Sequence, residues 1–381
     1  MKFVSAAALL LLLSFSFSCK QSQKKEEAAS SIETEIELKY STTFQLFEAE
    51  NYKRIVITKP WPEAEQELTY YLAKDKKFIP ADAQYDAFVQ LPIHDIVLTS
   101  TTHIPSLISL NQLDKWVGFP GLDYVSSPEA RALIENRNVT ELGQNEALNT
   151  EKLLELNPDV VIGFAVQGSN KSLNNIEKAG IPVLYNSDWL DEHPLGKAEW
   201  IKFFGMLTGT LADAEKEFNT IEKNYLELKS LAEKAKHVPT TLSGAMYKDV
   251  WYLPGGNSWQ AQFLKDANAN YRYADENENG SLSKSFEAVL NQAKNAEYWI
   301  APAQFTSYTE MLESSPHYSK FDAFQNKKVF TMAKTKGETG GVLYYELAPN
   351  RPDLVLRDLV GILHPDLLEV ETFSFFEPLN E

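Results

Sequence analysis

Two glutamates occupy matching places in this chain. In "NTEKLLELNPDVVIGF", Asn149 is followed by Glu151 and then Leu153-Leu154 ahead of an apolar run. In "SFEAVLNQAKNAEYWIAP", Ser285 is followed by Glu287 and then Val289-Leu290 ahead of another. A capping residue two positions before a carboxylate puts that carboxylate in the first turn of a helix, where the dipole favours it by under about 1 kcal/mol. Spacing alone reads both as dipole partners. Other chemistry is sparser. The six histidines are scattered without an HExxH or other metal-ligand spacing, so the sequence names no metal site. No GxSxG elbow is present, and the serines beside glycine ("GSN", "LSG", "GSL") lack a recognisable partner, so no catalytic residue emerges. "GGNS" at 255–258 and "GETGG" at 337–341 expose backbone N–H groups but match neither a Walker A loop nor a dinucleotide fingerprint.

The lone thiol, Cys19, stands between an apolar leader and "KQSQKKEE". A short positive start, an apolar run and small residues before the cysteine read as an export signal over residues 1–18. The run is too short to span a bilayer, which takes roughly 20 residues. Ser18-Cys19 resembles the lipobox of bacterial lipoproteins, with Phe17 bulky where a small residue is usual. That resemblance implies acylation of Cys19 and a lipid-anchored protein on the periplasmic side of a bacterial cell envelope. Residues 19–39 then read as a polar tether. The net charge of -17 becomes one unit more negative when the leader leaves with Lys2. No basic patch survives that balance, which excludes nucleic acid as a partner.

After the tether, "FQLFEAENYKRIVITKPW" and "LTYYLA" alternate apolar and polar residues as edge or hairpin strands do. Then "DIVLTST", "DVVIGF" and "IPVLYN" appear as short apolar runs separated by helical stretches, the pattern of a covered parallel sheet. Between residues 212 and 236 there is no Gly or Pro, and Phe218, Ile221, Tyr225, Leu228 and Leu231 recur every three or four residues. This predicts one amphipathic helix of roughly 37 Å. A second α/β region follows. The expected fold is α/β, two Rossmann-like lobes with mainly parallel sheets joined by one long rigid helix: an N-terminal lobe at 40–208, the linking helix at 209–238 and a C-terminal lobe at 239–381.

In order and spacing, "LNTEKLLELNPDVVIGF", "IEKAGIPVLY", "PLGKAEWIKFFGMLTG", "PGGNSWQAQFLKDANANY" and "RPDLVLRDLVGILHPDLL" resemble the substrate-binding lipoproteins of ABC importers for iron-siderophore complexes, haem or cobalamin. The resemblance runs from about Lys53 to Leu368. It implies a non-enzymatic, monomeric carrier without a resident cofactor, whose partners are a small-molecule ligand and an inner-membrane permease. It also implies that Glu151 and Glu287 dock on the permease, one from each lobe. The ligand then belongs between the lobes, on loops at the carboxyl ends of the strands. Residues expected there are Thr101, His103, Phe119, Tyr124, Phe164, Tyr247, Trp251, Phe305, Lys334 and Arg351, with Tyr308 and Lys336 as lesser candidates and Trp259 as core. Aromatic faces suit a flat macrocycle or a catecholate ring. Rival readings are a binding protein for bare zinc or manganese, an envelope hydrolase, and a surface trap that feeds an outer-membrane receptor.

Overall fold

Alternating side chains organise the start of the chain in the computed structural model, which describes residues 32–381 except 146 and 169. Strands β1 (Thr34–Ile36), β2 (Phe44–Glu48), β3 (Tyr52–Ile57), β4 (Leu68–Ala73) and β5 (Ala87–Gln90) form a five-stranded sheet in sequential order. Its pairs are antiparallel apart from β4 with β5. Phe44 and Leu46 face inward while Gln45 between them is exposed, so one face joins the core. The expected tether to residue 39 is already structured at β1, where Arg54 pairs with Glu33. Two buried carboxylates secure the next residues: Glu199 accepts the N–H groups of Lys39, Tyr40 and Ser41, and Asp191 accepts the hydroxyls of Ser41 and Thr43. Cys19 and the leader lie outside the described residues.

The apolar runs then build a parallel sheet. β6 (Ile96–Leu98), β7 (Trp116–Phe119), β8 (Thr140–Glu141), β11 (Val160–Gly163) and β12 (Val183–Tyr185) lie in the order β12-β11-β6-β7-β8, with a small hairpin, β9 (Gly143–Gln144) and β10 (Ala147–Leu148), beside them. The strand order reverses at β6, the place where open α/β sheets form a crevice at the strand ends. Helices α1 (Ile104–Ser109), α2 (Pro128–Glu135), α3 (Thr150–Leu156), α4 (Lys171–Lys178), α5 (Pro194–Glu199) and α6 (Ile201–Thr208) complete this lobe.

The linking helix, α7, runs Leu211–Ala232, 22 residues or about 33 Å, and so stops short of the expected end near 236. It buries Ala214, Phe218, Ile221 and Tyr225, and packs on α6 before it and on α13 (Pro352–Leu363) near the end of the chain.

In the second lobe, β13 (Thr240–Ser243), β16 (Asn270–Tyr271), β18 (Tyr298–Ile300), β19 (Val329–Thr331) and β20 (Glu377–Pro378) form a sheet in the order β16-β13-β18-β19-β20. All its pairs are parallel except the last. A smaller antiparallel sheet, β14 (Ala245–Tyr247), β15 (Val250–Pro254) and β17 (Ser281–Ser285), projects from the end of β13. Helices α8 (Trp259–Asp266), α9 (Phe286–Ala293), α10 (Tyr308–Ser314), α11 (Asp322–Gln325) and α12 (Leu343–Leu347) complete this lobe. One contiguous apolar core runs from Leu46 through Phe218 to Val360, so the lobes share packing under α7. Among the described residues no helix is long and apolar enough to cross a membrane.

Candidate functional site

Strand ends deliver the site. In the first lobe, Thr99, Ser100 and Thr101 follow β6, Phe119 ends β7 with Tyr124 in the turn beyond, and Phe164 follows β11. These residues line a pocket of about 260 Å³ whose other wall is Gly341, Val342, Tyr345 and Glu346 of the second lobe. Both halves therefore border one space, and Thr101, Phe119, Tyr124 and Phe164 come together as expected. Tyr124 is 73% exposed, an aromatic face offered to whatever enters. A larger pocket of about 690 Å³ opens where β13, β18 and β19 end. Tyr247, Tyr252, Trp259 and Phe305 line it with Met246 and Met332, and Tyr247 is 67% exposed. Tyr247 and Phe305 thus line a pocket whose walls all come from the second lobe.

Four expected cleft residues are elsewhere. His103 is wholly buried, its ring 5.8 Å from that of Phe204, because Thr101–His103 form a 3₁₀ turn that points the third side chain into the lobe. Neither ring nitrogen has a hydrogen-bond partner, and burial pulls its pKa down to about 4, so it stays neutral. Trp251 is core: it stacks on Trp299 at 5.2 Å and donates from its indole nitrogen to the carbonyl of Ser243. Lys334 pairs with Glu377 at 2.9 Å and donates to the carbonyl of Pro378. Arg351 forms a two-pronged pair with Asp353 at the start of α13. Both cations are thus used in holding the fold. Lys336 is exposed in the loop after β19, and Tyr308 is buried against Phe324. Trp259, expected in the core, is only partly buried and lines the larger pocket, with the Lys197 ammonium of the first lobe 5.1 Å from its ring. That lysine also donates to the carbonyls of Asp188 and Trp189, and burial lowers its pKa.

Sequence reading missed the contact that closes the smaller pocket. Glu346, on α12, is buried and accepts the N–H groups of Ser126 (2.6 Å) and Ser127 (3.0 Å) and the Ser127 hydroxyl, at the N-terminal end of α2 in the other lobe. A carboxylate there is electrostatically favoured. Desolvation nevertheless dominates and raises its pKa, opposed by those three hydrogen bonds. Around it, the Thr339 hydroxyl donates to the carbonyl of Val125, and Asn350 bonds both Ser106 and Thr102. Gly337 and Gly341 make this approach possible: a Cβ on either would lie 2.6 Å from an atom of Ser126. "GETGG" is an inter-lobe contact, which its glycines hinted at without naming a partner.

Glu151 and Glu287 occupy equivalent positions. Each is the second residue of its helix, α3 or α9, and each is exposed. The caps Asn149 and Ser285 each accept the N–H of the third helical residue, Lys152 or Ala288.

The model of the periplasmic binding protein family matches residues 96–335, more than half of the chain. This chain belongs to that family. Periplasmic binding proteins are solute-binding subunits of ABC importers and not enzymes, and the chain is one of them. An uncharacterized lipoprotein of Methanocaldococcus jannaschii is 25% identical over 302 residues, 77% of this chain and 70% of its own length. Among solved structures, a possible iron-binding periplasmic solute-binding protein from Staphylococcus epidermidis superposes with a TM-score of 0.57 at 18% identity, covering 71% of this chain and 99% of the other. A periplasmic haem-binding protein from Pseudomonas aeruginosa gives 0.57 at 17%, covering 76% and 99%. At these identities the likeness is one of fold: two α/β lobes joined by a long helix. The sheet β1–β5 precedes the family match.

Proposed function

We propose that this periplasmic binding protein captures an iron-siderophore, haem or cobalamin-type ligand between its lobes and presents it to an inner-membrane ABC permease. The reading rests above all on the pocket that Phe119, Tyr124 and Phe164 of one lobe share with Val342 and Tyr345 of the other. A ligand spanning that boundary reports its presence through the spacing of the lobes. The larger pocket, with its aromatic walls, has the volume of an ordinary small-molecule site. A binding protein for bare zinc or manganese would need a convergent ligand set, and among the described residues no three of His, Cys, Asp or Glu come together.

Docking falls to Glu151 and Glu287, one exposed carboxylate per lobe in the same local geometry. Exposed ion pairs with permease arginines are individually weak and salt-sensitive, as suits a carrier that must leave after delivery. Acylated Cys19 holds the monomer at the envelope membrane on its periplasmic side. Protein purified from its native envelope carries the absorption spectrum of its ligand, each of the three classes being coloured and distinct; a colourless protein that binds none of them on addition would refute the reading. Replacing Glu151 and Glu287 together by Ala removes stimulation of the permease ATPase and leaves ligand affinity intact. Retained stimulation would end the docking assignment.

A further inference from the structure

Charge is scarce where ligand would sit. Tyrosines apart, the larger pocket has one ionisable lining residue, Lys248, exposed at the tip of the β14–β15 hairpin with its ammonium 5.4 Å from the Tyr247 ring. The smaller pocket has one, Glu346, whose carboxylate is occupied by Ser126 and Ser127. Of the other cations near these loops, Lys334 and Arg351 are held by Glu377 and Asp353, Lys197 beside Trp259 donates to the carbonyls of Asp188 and Trp189, and Lys336 is exposed outside both pocket linings. The neutral polar groups are plentiful by contrast: the hydroxyls of Ser243 and Ser281 and the carboxamides of Gln260 and Gln304 all line the larger pocket.

Resting on the carrier reading above, we infer that the cleft selects a ligand of low net charge rich in amide or hydroxamate groups, such as a neutral ferric hydroxamate or an amide-decorated corrinoid, and rejects polyanionic chelates. A trianion entering the site would exchange its hydration for one ammonium, inside a chain whose own net charge is -17. A neutral chelate meets no such barrier. Its apolar faces lie against Tyr247, Trp259 and Phe305, and its peripheral carbonyls and N–H groups find hydroxyls and carboxamides that can donate or accept. The Glu346 carboxylate at the inter-lobe pocket reinforces the preference, because its oxygens already accept from Ser126 and Ser127 and no salt bridge balances it among the described residues.

The test compares chelates that differ in charge but little in shape. A neutral ferric tris-hydroxamate and a trianionic ferric tris-catecholate both wrap one iron in six oxygens; cyanocobalamin and haem, with its two propionates, make a second pair. Binding is read by tryptophan fluorescence quenching in about 0.15 M salt, where fields from exposed charges are already screened beyond roughly 8 Å. The expected result is a dissociation constant for the neutral member at least tenfold below that of its anionic counterpart in at least one pair. Tyr247→Ala, at an exposed position that folding does not need, weakens that binding severalfold, and Gln304→Lys improves the tris-catecholate affinity severalfold. Tighter binding of the anionic member in both pairs overturns the inference while leaving the carrier reading intact. Absence of binding to all four, together with a colourless native protein, overturns both.

Discussion

Two of the places where the lobes meet are built on different physics. Along α7 the junction is apolar: Ala214, Phe218, Ile221 and Tyr225 are buried against α6 and α13, and the Tyr225 hydroxyl adds a 2.7 Å bond to Asp266 on α8. At the smaller pocket the junction is polar: Glu346 holds Ser126 and Ser127, with Gly337 and Gly341 allowing backbone to touch backbone. Apolar burial is undirected, large and indifferent to pH, whereas a net hydrogen bond contributes only about 1 kcal/mol and one buried acceptor is shared by several. The helix side therefore fixes how far apart the lobes stand. The Glu346 side adds a directed, polar contact at the edge of the smaller pocket.

Breaking the helix side has the largest effect. Phe218 of α7 is fully buried, with the Tyr40 ring 6.1 Å away and the Lys202 ammonium 4.8 Å from its centre, so Phe218→Ala costs about 3–5 kcal/mol. In urea, probes in both lobes shift together, because the core is continuous. A loss confined to one lobe's transition would show that α7 does not couple them.

Acid acts next, within the first lobe. His103 packs on Phe204 of α6 with its pKa lowered from 6.5 to about 4, mainly by desolvation and partly offset by Asp188. A base with a depressed folded pKa contributes stability that is fully present above 6.5 and is lost as pH falls toward 4. The difference amounts to about 3 kcal/mol at roughly 1.4 kcal/mol per pKa unit. His103→Phe keeps an aromatic ring and removes the titration, so denaturation midpoints measured between pH 7 and 4.5 fall less for the variant than for the parent. Parallel pH profiles would show that another group carries the slope.

Local pattern made much of this legible. The period of α7, the apolar strands and the matched positions of Glu151 and Glu287 are all short-range signals, and they put the lobes and the rod in place. Residues at or just beyond a strand end, such as Thr101, Phe119 and Phe164, followed from sheet topology. What failed was the direction of individual side chains. His103 and Trp251 sit beside strand ends yet turn inward, since one further residue of 3₁₀ turn or a small second sheet reverses the face. Glu346 had no local signal at all: its partners lie 219 and 220 residues earlier, and its neighbours in "YYEL" read as an ordinary helix. Arg351 and Lys334 looked free only because Asp353 and Glu377 were not recognised as their partners.

On the polar side, Glu346→Ala removes the shared acceptor and leaves two backbone N–H groups to find water. The cost is about 1–3 kcal/mol if they stay buried and less if the lobes part. Amide exchange should accelerate in 122–127 and 335–347 and stay slow along α7. Equal acceleration on both sides would mean that the two junctions are one cooperative unit.

The smallest effect sharpens the contrast most. Burial is the principal cause that raises the Glu346 pKa above 4.5, with Glu129 adding to it and the bonds from Ser126 and Ser127 opposing it. If opening hydrates Glu346 and returns its pKa to the ordinary 4.5, protonation favours the closed form. Its contribution is therefore fully present below 4.5 and is lost as pH rises through the raised value. The polar junction tightens with acid while the packing of the first lobe around His103 weakens. Labels at Leu154→Cys and Leu312→Cys, exposed positions on separate lobes, placed in a Cys19→Ser background, read the separation by energy transfer. As pH falls from 7.5 toward 4.5 the parent closes slightly and Glu346→Gln, which cannot titrate, does not. Closure that follows pH equally in both proteins would assign the response to a different group and leave Glu346 a fixed contact.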